Sequence, residues 1–168
     1  MSRPPAKPVV PAEGQESVWD YPRPPRVEPS DAVVRIRFGG AIIAESTRSV
    51  RVLETSHPPV FYMPRDDFAP GALLPAAGSS FCEFKGEASY LTIVGADARR
   101  APSAAWFYAE PAPGYELLRG RVAVYPAAMD ACSVDGEIVQ PQPGDFYGGW
   151  ITSRVVGPFK GEPGTSGW

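Results

Sequence analysis

Wherever apolar residues repeat in this chain they alternate, and no segment keeps them in helical register beyond a single turn. Val33–Phe38 reads VVRIRF, with Val34, Ile36 and Phe38 on one side and Val33, Arg35 and Arg37 on the other. Period-two alternation of β-branched residues predicts a strand. Gly39-Gly40 follows, a pair able to take positive φ at both central positions of a hairpin turn, and Ala41–Ala44 returns as the partner. Ser49–Leu53 alternates again. Further strands are expected at Val60–Met63, Phe81–Phe84, Ala88–Val94, Ala104–Tyr108 and Val122–Tyr125. Met129–Val134 and Glu137–Val139 flank a second turn pair, Asp135-Gly136. One helical turn is expected at Pro64–Asp67, where proline leads and two acids follow, and another at Tyr115–Leu118. Phe68–Ser80 reads as an Ala/Pro/Gly-rich loop and Gly95–Ser103 as an exposed connection. The sum predicts an all-β fold: a compact, mostly antiparallel β-domain of about 8–10 short strands, tent-like or barrel-like.

Proline marks the flanks. Eight of the 21 prolines fall in Met1–Ser30, which excludes helix and central strand there. Residues 1–30 are therefore expected to form a Pro-rich arm, with Trp19 and Tyr21 strapping part of it to the surface. Residues 31–140 hold the β-domain. Residues 141–168 contain GDFYGGW and VVGPFKGEPGTSGW, too apolar for a free tail, and read as a second strap. Trp19, Trp150 and Trp168 are expected to be at least half buried. The tetrapeptide Phe-Lys-Gly-Glu occurs at Phe84–Glu87 and again at Phe159–Glu162. Four residues with unmatched flanks do not make a repeat, so the reading is coincidence.

Charge narrows the function classes. A formal net charge of -3 gives no electrostatic case for nucleic acid or an anionic membrane. No apolar run approaches the 18 or so residues of a membrane span, and the N-terminus carries no apolar signal segment. A cytoplasmic protein is the expectation. Cys82 and Cys132 are too few for a disulfide framework and form no CxxC pair, so buried free thiols are expected and neither a metal site nor a cofactor is implied.

The order ETSHPPVFYMPRDD, FCEFKGEASY, AAWFYAEP, GRVAVYPAAMDA resembles a bacterial family catalogued as domain of unknown function 427, over roughly Val33–Val139. The resemblance implies a compact antiparallel β-fold, somewhat similar to the tent-like domains of zinc-binding chaperone-type proteins. This chain lacks their paired cysteines, so its hydrophobic core must hold that fold alone. Some catalogues attach the word nucleotidyltransferase to the family. The motifs do not support it: Gly78-Ser79 is followed by no Asp-x-Asp strand, and Asp66 and Asp67, being adjacent, diverge.

What remains is a polar and aromatic constellation in the central stretch. His57, Arg65 and Lys85 fall in or beside turns, and Tyr62, Tyr90 and Trp106 belong to the motifs that carry the resemblance. Basic groups beside aromatic walls suit a pocket for a small anionic or amide-bearing ligand. No catalytic residue is assigned. Two alternatives stand: an enzyme using His57, Lys85 or Cys82, and an interaction protein using the Trp-rich straps.

Overall fold

The computed structural model describes residues 7–144 and 146–168. The first six residues of the expected arm lie outside them. In chain order the strands are β1 (Glu16–Ser17), β2 (Arg26–Ser30), β3 (Val34–Phe38), β4 (Ala41–Ser46), β5 (Ser49–Leu53), β6 (Val60–Pro64), β7 (Leu73–Cys82), β8 (Gly86–Val94), β9 (Arg100–Phe107), β10 (Arg121–Val124), β11 (Ala131–Val134), β12 (Glu137–Ile138), β13 (Gln140–Pro141), β14 (Trp150–Ile151) and β15 (Val155–Val156). Ten of these have four residues or more. The only helical pieces among the described residues are single 3₁₀ turns. Two of them, Arg65–Asp67 and Glu116–Leu118, fall where the sequence places helical turns.

A seven-stranded antiparallel sheet in the order β2-β5-β6-β10-β9-β8-β7 packs against a four-stranded sheet in the order β12-β11-β3-β4. No barrel closes. Both glycine-marked hairpins form as the sequence requires. Gly39 and Gly40 stand at φ 66 and 85, and Asp135 and Gly136 at 48 and 84, conformations that suit the right-handed twist of the strands they join.

The alternation read in the sequence decides what each sheet face meets. Val34, Ile36 and Phe38 point from β3 toward Phe61 and Met63 of β6, Leu91 and Ile93 of β8, and Val122 and Val124 of β10, all buried in one cluster. Trp150 completes that core. Its ring lies 5.2 Å from Phe61, and its indole N–H donates to the Val124 carbonyl. Side chains one position over face away from this core. Val60, Tyr62, Ala88, Tyr90, Trp106, Tyr108 and Ala123 form a second cluster on the outer face of the large sheet. The segment around Tyr115 and Leu118 covers part of it, tied by the Tyr115 hydroxyl to the Pro25 carbonyl at 2.8 Å.

Three segments differ from the sequence reading. Arg26–Ser30 lies within the expected arm but forms the edge strand β2, paired along its length with β5. Leu73–Cys82 is a ten-residue strand rather than a loop. Ala76, Ala77 and Gly78 have little strand preference of their own. Pairing with β8 on either side of an irregularity between Pro75 and Ser79 holds them extended. Likewise β9 begins at Arg100, inside the expected connection, because Ala101 and Arg100 pair with Ile93 and Val94.

The flanks meet one another. β1 runs parallel to β15, and Val18, Tyr21, Leu53 and Val155 make a small third core. Trp19 and Trp168 are partly buried and meet edge to face at 5.2 Å, with the Trp19 indole N–H donating to the Pro158 carbonyl at 2.9 Å. Arg51 ties this junction to the sheet through Glu16 and Glu28.

Trp150 is 1% exposed, so Trp150→Ala should lower unfolding free energy by about 3–5 kcal/mol, the range for emptying a core site of that size. Trp168→Ala, at a partly buried position, should cost well under half as much. Urea denaturation of the two variants checks the ranking.

Candidate functional site

The outer face of the large sheet does not fill itself. Ala123 lies opposite Tyr62 on one side and Trp106 on the other, and Ala88 lies beside them on β8. A cavity of about 300 Å³ opens on this face, with Ala88 among its lining residues. Val52, Val60, Tyr62, Tyr90, Trp106 and Tyr108 make its floor. The Trp106 indole N–H donates to the Tyr62 hydroxyl at 3.1 Å, and the Tyr90 hydroxyl donates to Ser80 at 3.0 Å. Burial pushes the Tyr62, Tyr108 and Tyr125 phenols upward, so the floor stays uncharged.

The polar side is built on two turns. His57 follows Ser56, whose φ is 72, and precedes Pro58-Pro59. The His57 N–H donates to the Glu54 carbonyl at 3.0 Å, which with the two prolines fixes the ring over the cavity. Lys85 arrives from the β7–β8 hairpin. Strict alternation predicts Lys85 on the opposite face from Cys82. The chain instead spends Glu83, Phe84 and Lys85 on a turn, with Cys82 paired to Gly86. This brings Lys85 back to the face of Cys82, and both line the cavity.

Residues 142–160 supply the remaining wall. Gln142 is 4% exposed and fully committed. Its Oε1 accepts from the Gly149 N–H at 3.0 Å, while its Nε2 donates to the Lys160 carbonyl at 2.8 Å and meets His57 Nδ1 at 3.1 Å. With the amide so oriented, Nδ1 must be the acceptor, and the ring proton sits on Nε2, facing Glu54 at 3.8 Å. A second proton on the ring would point at the amide NH₂. Burial first, then the charges of Lys160, Arg23 and Lys85, hold the His57 pKa down to about 4. His57 and Glu54 are therefore not an ion pair at neutral pH. The Glu54 carboxylate is answered by Arg23 at 3.4 Å. Tyr147 packs edge-on to His57 at 4.9 Å and lies beneath the Lys160 ammonium at 5.7 Å. Gly148 presses on the Trp106 ring so closely that no Cβ fits between them. Phe81 and Phe146 stand exposed at the mouth.

Of the six residues that the sequence groups into a pocket, His57, Lys85, Trp106, Tyr62 and Tyr90 line this cavity together. Arg65 does not. Its guanidinium stacks on Phe107 at 4.7 Å, and Phe107 packs toward the core between the sheets. The chain after Pro64 swings toward the four-stranded sheet, where Phe68 bridges Ala44, and carries Arg65 to the other face. Gln142, Tyr147, Tyr125 and Lys160 escaped the sequence reading. The second Phe-Lys-Gly-Glu signals Lys160 and the aromatic-glycine run GDFYGGW signals Tyr147, while Tyr125 ends the expected strand Val122–Tyr125.

Both cysteines are free. Burial pushes the Cys132 thiol up to about 12. Cys82 lines the cavity, but neither ring nitrogen of His57 is turned to it. Among the described residues, no three His, Cys, Asp or Glu side chains cluster as metal ligands would, and no helix is long and apolar enough to cross a membrane. Asp67, one of the adjacent acids, is bonded to Ser46 and Arg48.

The family model described as domain of unknown function DUF427 matches residues 26–135. The chain belongs to that family. No curated protein matches the chain. The DUF427 region supplies the aromatic floor, His57 and Lys85. Gln142, Tyr147 and Lys160 come from beyond its end.

The His57 environment has a pH signature. The unfolded chain takes up a proton near pH 6.5 that the folded chain refuses until about 4. Stability is therefore complete above the upper value and falls as pH drops through the window. At pH 4.5 the loss should be roughly 2–3 kcal/mol, at about 1.36 kcal/mol per unit. Urea denaturation at pH 7 and 4.5 should show His57→Gln losing less over this interval than the parent chain. Equal losses would mean that the ring protonates freely in the folded state.

Proposed function

We infer that this protein is a small-molecule binding module whose cavity takes a flat anionic or amide-bearing ligand, with the anion preferred. The observation that carries this reading is Lys85. It is partly buried at the cavity wall, and among the described residues no carboxylate or carbonyl oxygen is bonded to its ammonium. The one carboxylate among the described lining residues, Glu54, already faces Arg23. A lysine in a concave, aromatic-floored site with no internal counter-charge favours an anion from outside.

The rest of the wall agrees in character. Trp106, Tyr62 and Tyr90 offer flat apolar surface with their polar atoms already paired to one another or to Ser80, which suits a planar body. His57 Nε2–H is a fixed neutral donor, able to serve a carbonyl as readily as a carboxylate. A volume of about 300 Å³ lies at the small end of ligand sites and suits a compact molecule. The net charge of -3 keeps nucleic acid outside this reading, and the family is described as one of unknown function.

Lys85→Met tests it. With benzoate and phenyl phosphate as probes in isothermal titration, the variant should bind either one roughly 10- to 100-fold more weakly, the scale of one charged hydrogen bond of about 1.5–3 kcal/mol. Its melting temperature should stay close to that of the parent. If Lys85→Met instead lowers the melting temperature and leaves affinity per folded molecule intact, the lysine is structural and the reading fails.

A further inference from the structure

The two Phe-Lys-Gly-Glu tetrapeptides, 75 residues apart in sequence, differ in secondary structure but share a glycine of similar positive φ and bring their lysines to the same cavity. Phe84 packs against the outer-face cluster and Phe159 against the core at the junction of the flanks. The carbonyl of each lysine is held by a donor from a distant segment: Lys85 by the Ala112 N–H at 2.9 Å, Lys160 by Gln142 Nε2 at 2.8 Å. Each glycine then takes a φ that L side chains avoid, 109 at Gly86 and 119 at Gly161. At each, a carbonyl oxygen approaches where a Cβ would stand, that of Glu110 at Gly86 and that of Pro143 at Gly161. The four residues thus act as one device, in which the phenylalanine anchors, the glycine turns against a neighbouring backbone, and the lysine between them is pushed to the cavity wall.

The two ammonium groups are prepared differently. Lys85 is bonded to no carboxylate or carbonyl among the described residues. Lys160 Nζ donates to main-chain oxygens of Ser166 and Trp168, at 3.5 and 3.0 Å, and stands over the Tyr147 ring. Both act on His57, whose proton affinity each of them lowers, so both lie within electrostatic reach of that ring. Between them runs the aromatic floor.

We propose that the ligand of this cavity carries two anionic groups on a flat body, one met by Lys85 and the other by Lys160. This rests on the single-anion reading above and extends it. The matching glycine geometry of the tetrapeptides replaces the sequence-level reading of coincidence, because one local solution reached twice at a single cavity has a common task.

The test uses one ring with different second groups. Benzoate carries one carboxylate; phthalate, isophthalate and terephthalate carry two at increasing separation. Each is titrated calorimetrically at constant ionic strength into the parent chain, Lys85→Met and Lys160→Met, with thermal melts as a control on folding. At least one of the three dicarboxylates should bind tenfold or more tightly than benzoate. Lys160→Met should abolish that advantage, and Lys85→Met should weaken benzoate and the dicarboxylates alike. If benzoate binds in a Lys85-dependent way but no dicarboxylate exceeds it, or if Lys160→Met leaves the advantage intact, the two-anion reading is overturned and the single-anion reading stands. If none of the four binds, both are overturned.

Discussion

Burial of both faces of the seven-stranded sheet is the constraint from which the rest of this structure follows. An antiparallel sheet commonly has one face on a core and one in water. Here β6, β10 and the second half of β9 are covered on both sides. One face meets the four-stranded sheet through Phe61, Met63, Val122 and Val124, in a conventional aliphatic core closed by Trp150. The other face carries Tyr62, Trp106 and Tyr108. Such large amphipathic rings pack well in water-poor surroundings only if their N–H and O–H groups find partners. Tyr62 and Trp106 find one another, and the cavity opens over these rings.

The strands were legible where local preference and tertiary role agree. VVRIRF alternates because one side serves a core, VFYM and RVAV are mostly apolar because both sides are buried, and all three form strands. The ten-residue β7 was not legible, since Ala76-Ala77-Gly78 has no strand signal and depends on β8 for its shape. Arg65 was misplaced because position in a turn fixes conformation without fixing the face to which the following chain swings. Simple alternation opposes Lys85 on the face of Cys82; the three-residue turn after Cys82 brings it to the cavity wall. Gln142 lies 85 residues from His57 in sequence, and nothing local in either announces their contact.

That contact gives the polar wall its chemical state. A histidine in a concave site is commonly considered first as an acid or base. Gln142 removes one ring nitrogen from such a role, and the nearby cations disfavour a second proton. The wall therefore presents fixed hydrogen-bond direction at His57 and fixed positive charge at the lysines. This division of labour suits recognition better than proton transfer.

Gly148 against Trp106 and Gly149 against Pro58 bring the chain beyond residue 135 down onto the floor laid by the family region. The two parts of the cavity thus have separate genetic addresses. Substitutions in the floor must satisfy the sheet and its core as well as anything that enters the cavity. Substitutions at Phe146, Tyr147 or Lys160 alter the wall while touching few of the contacts that hold the strands together. A chain that kept residues 26–135 and differed beyond them would share this sheet and yet present another wall to the cavity.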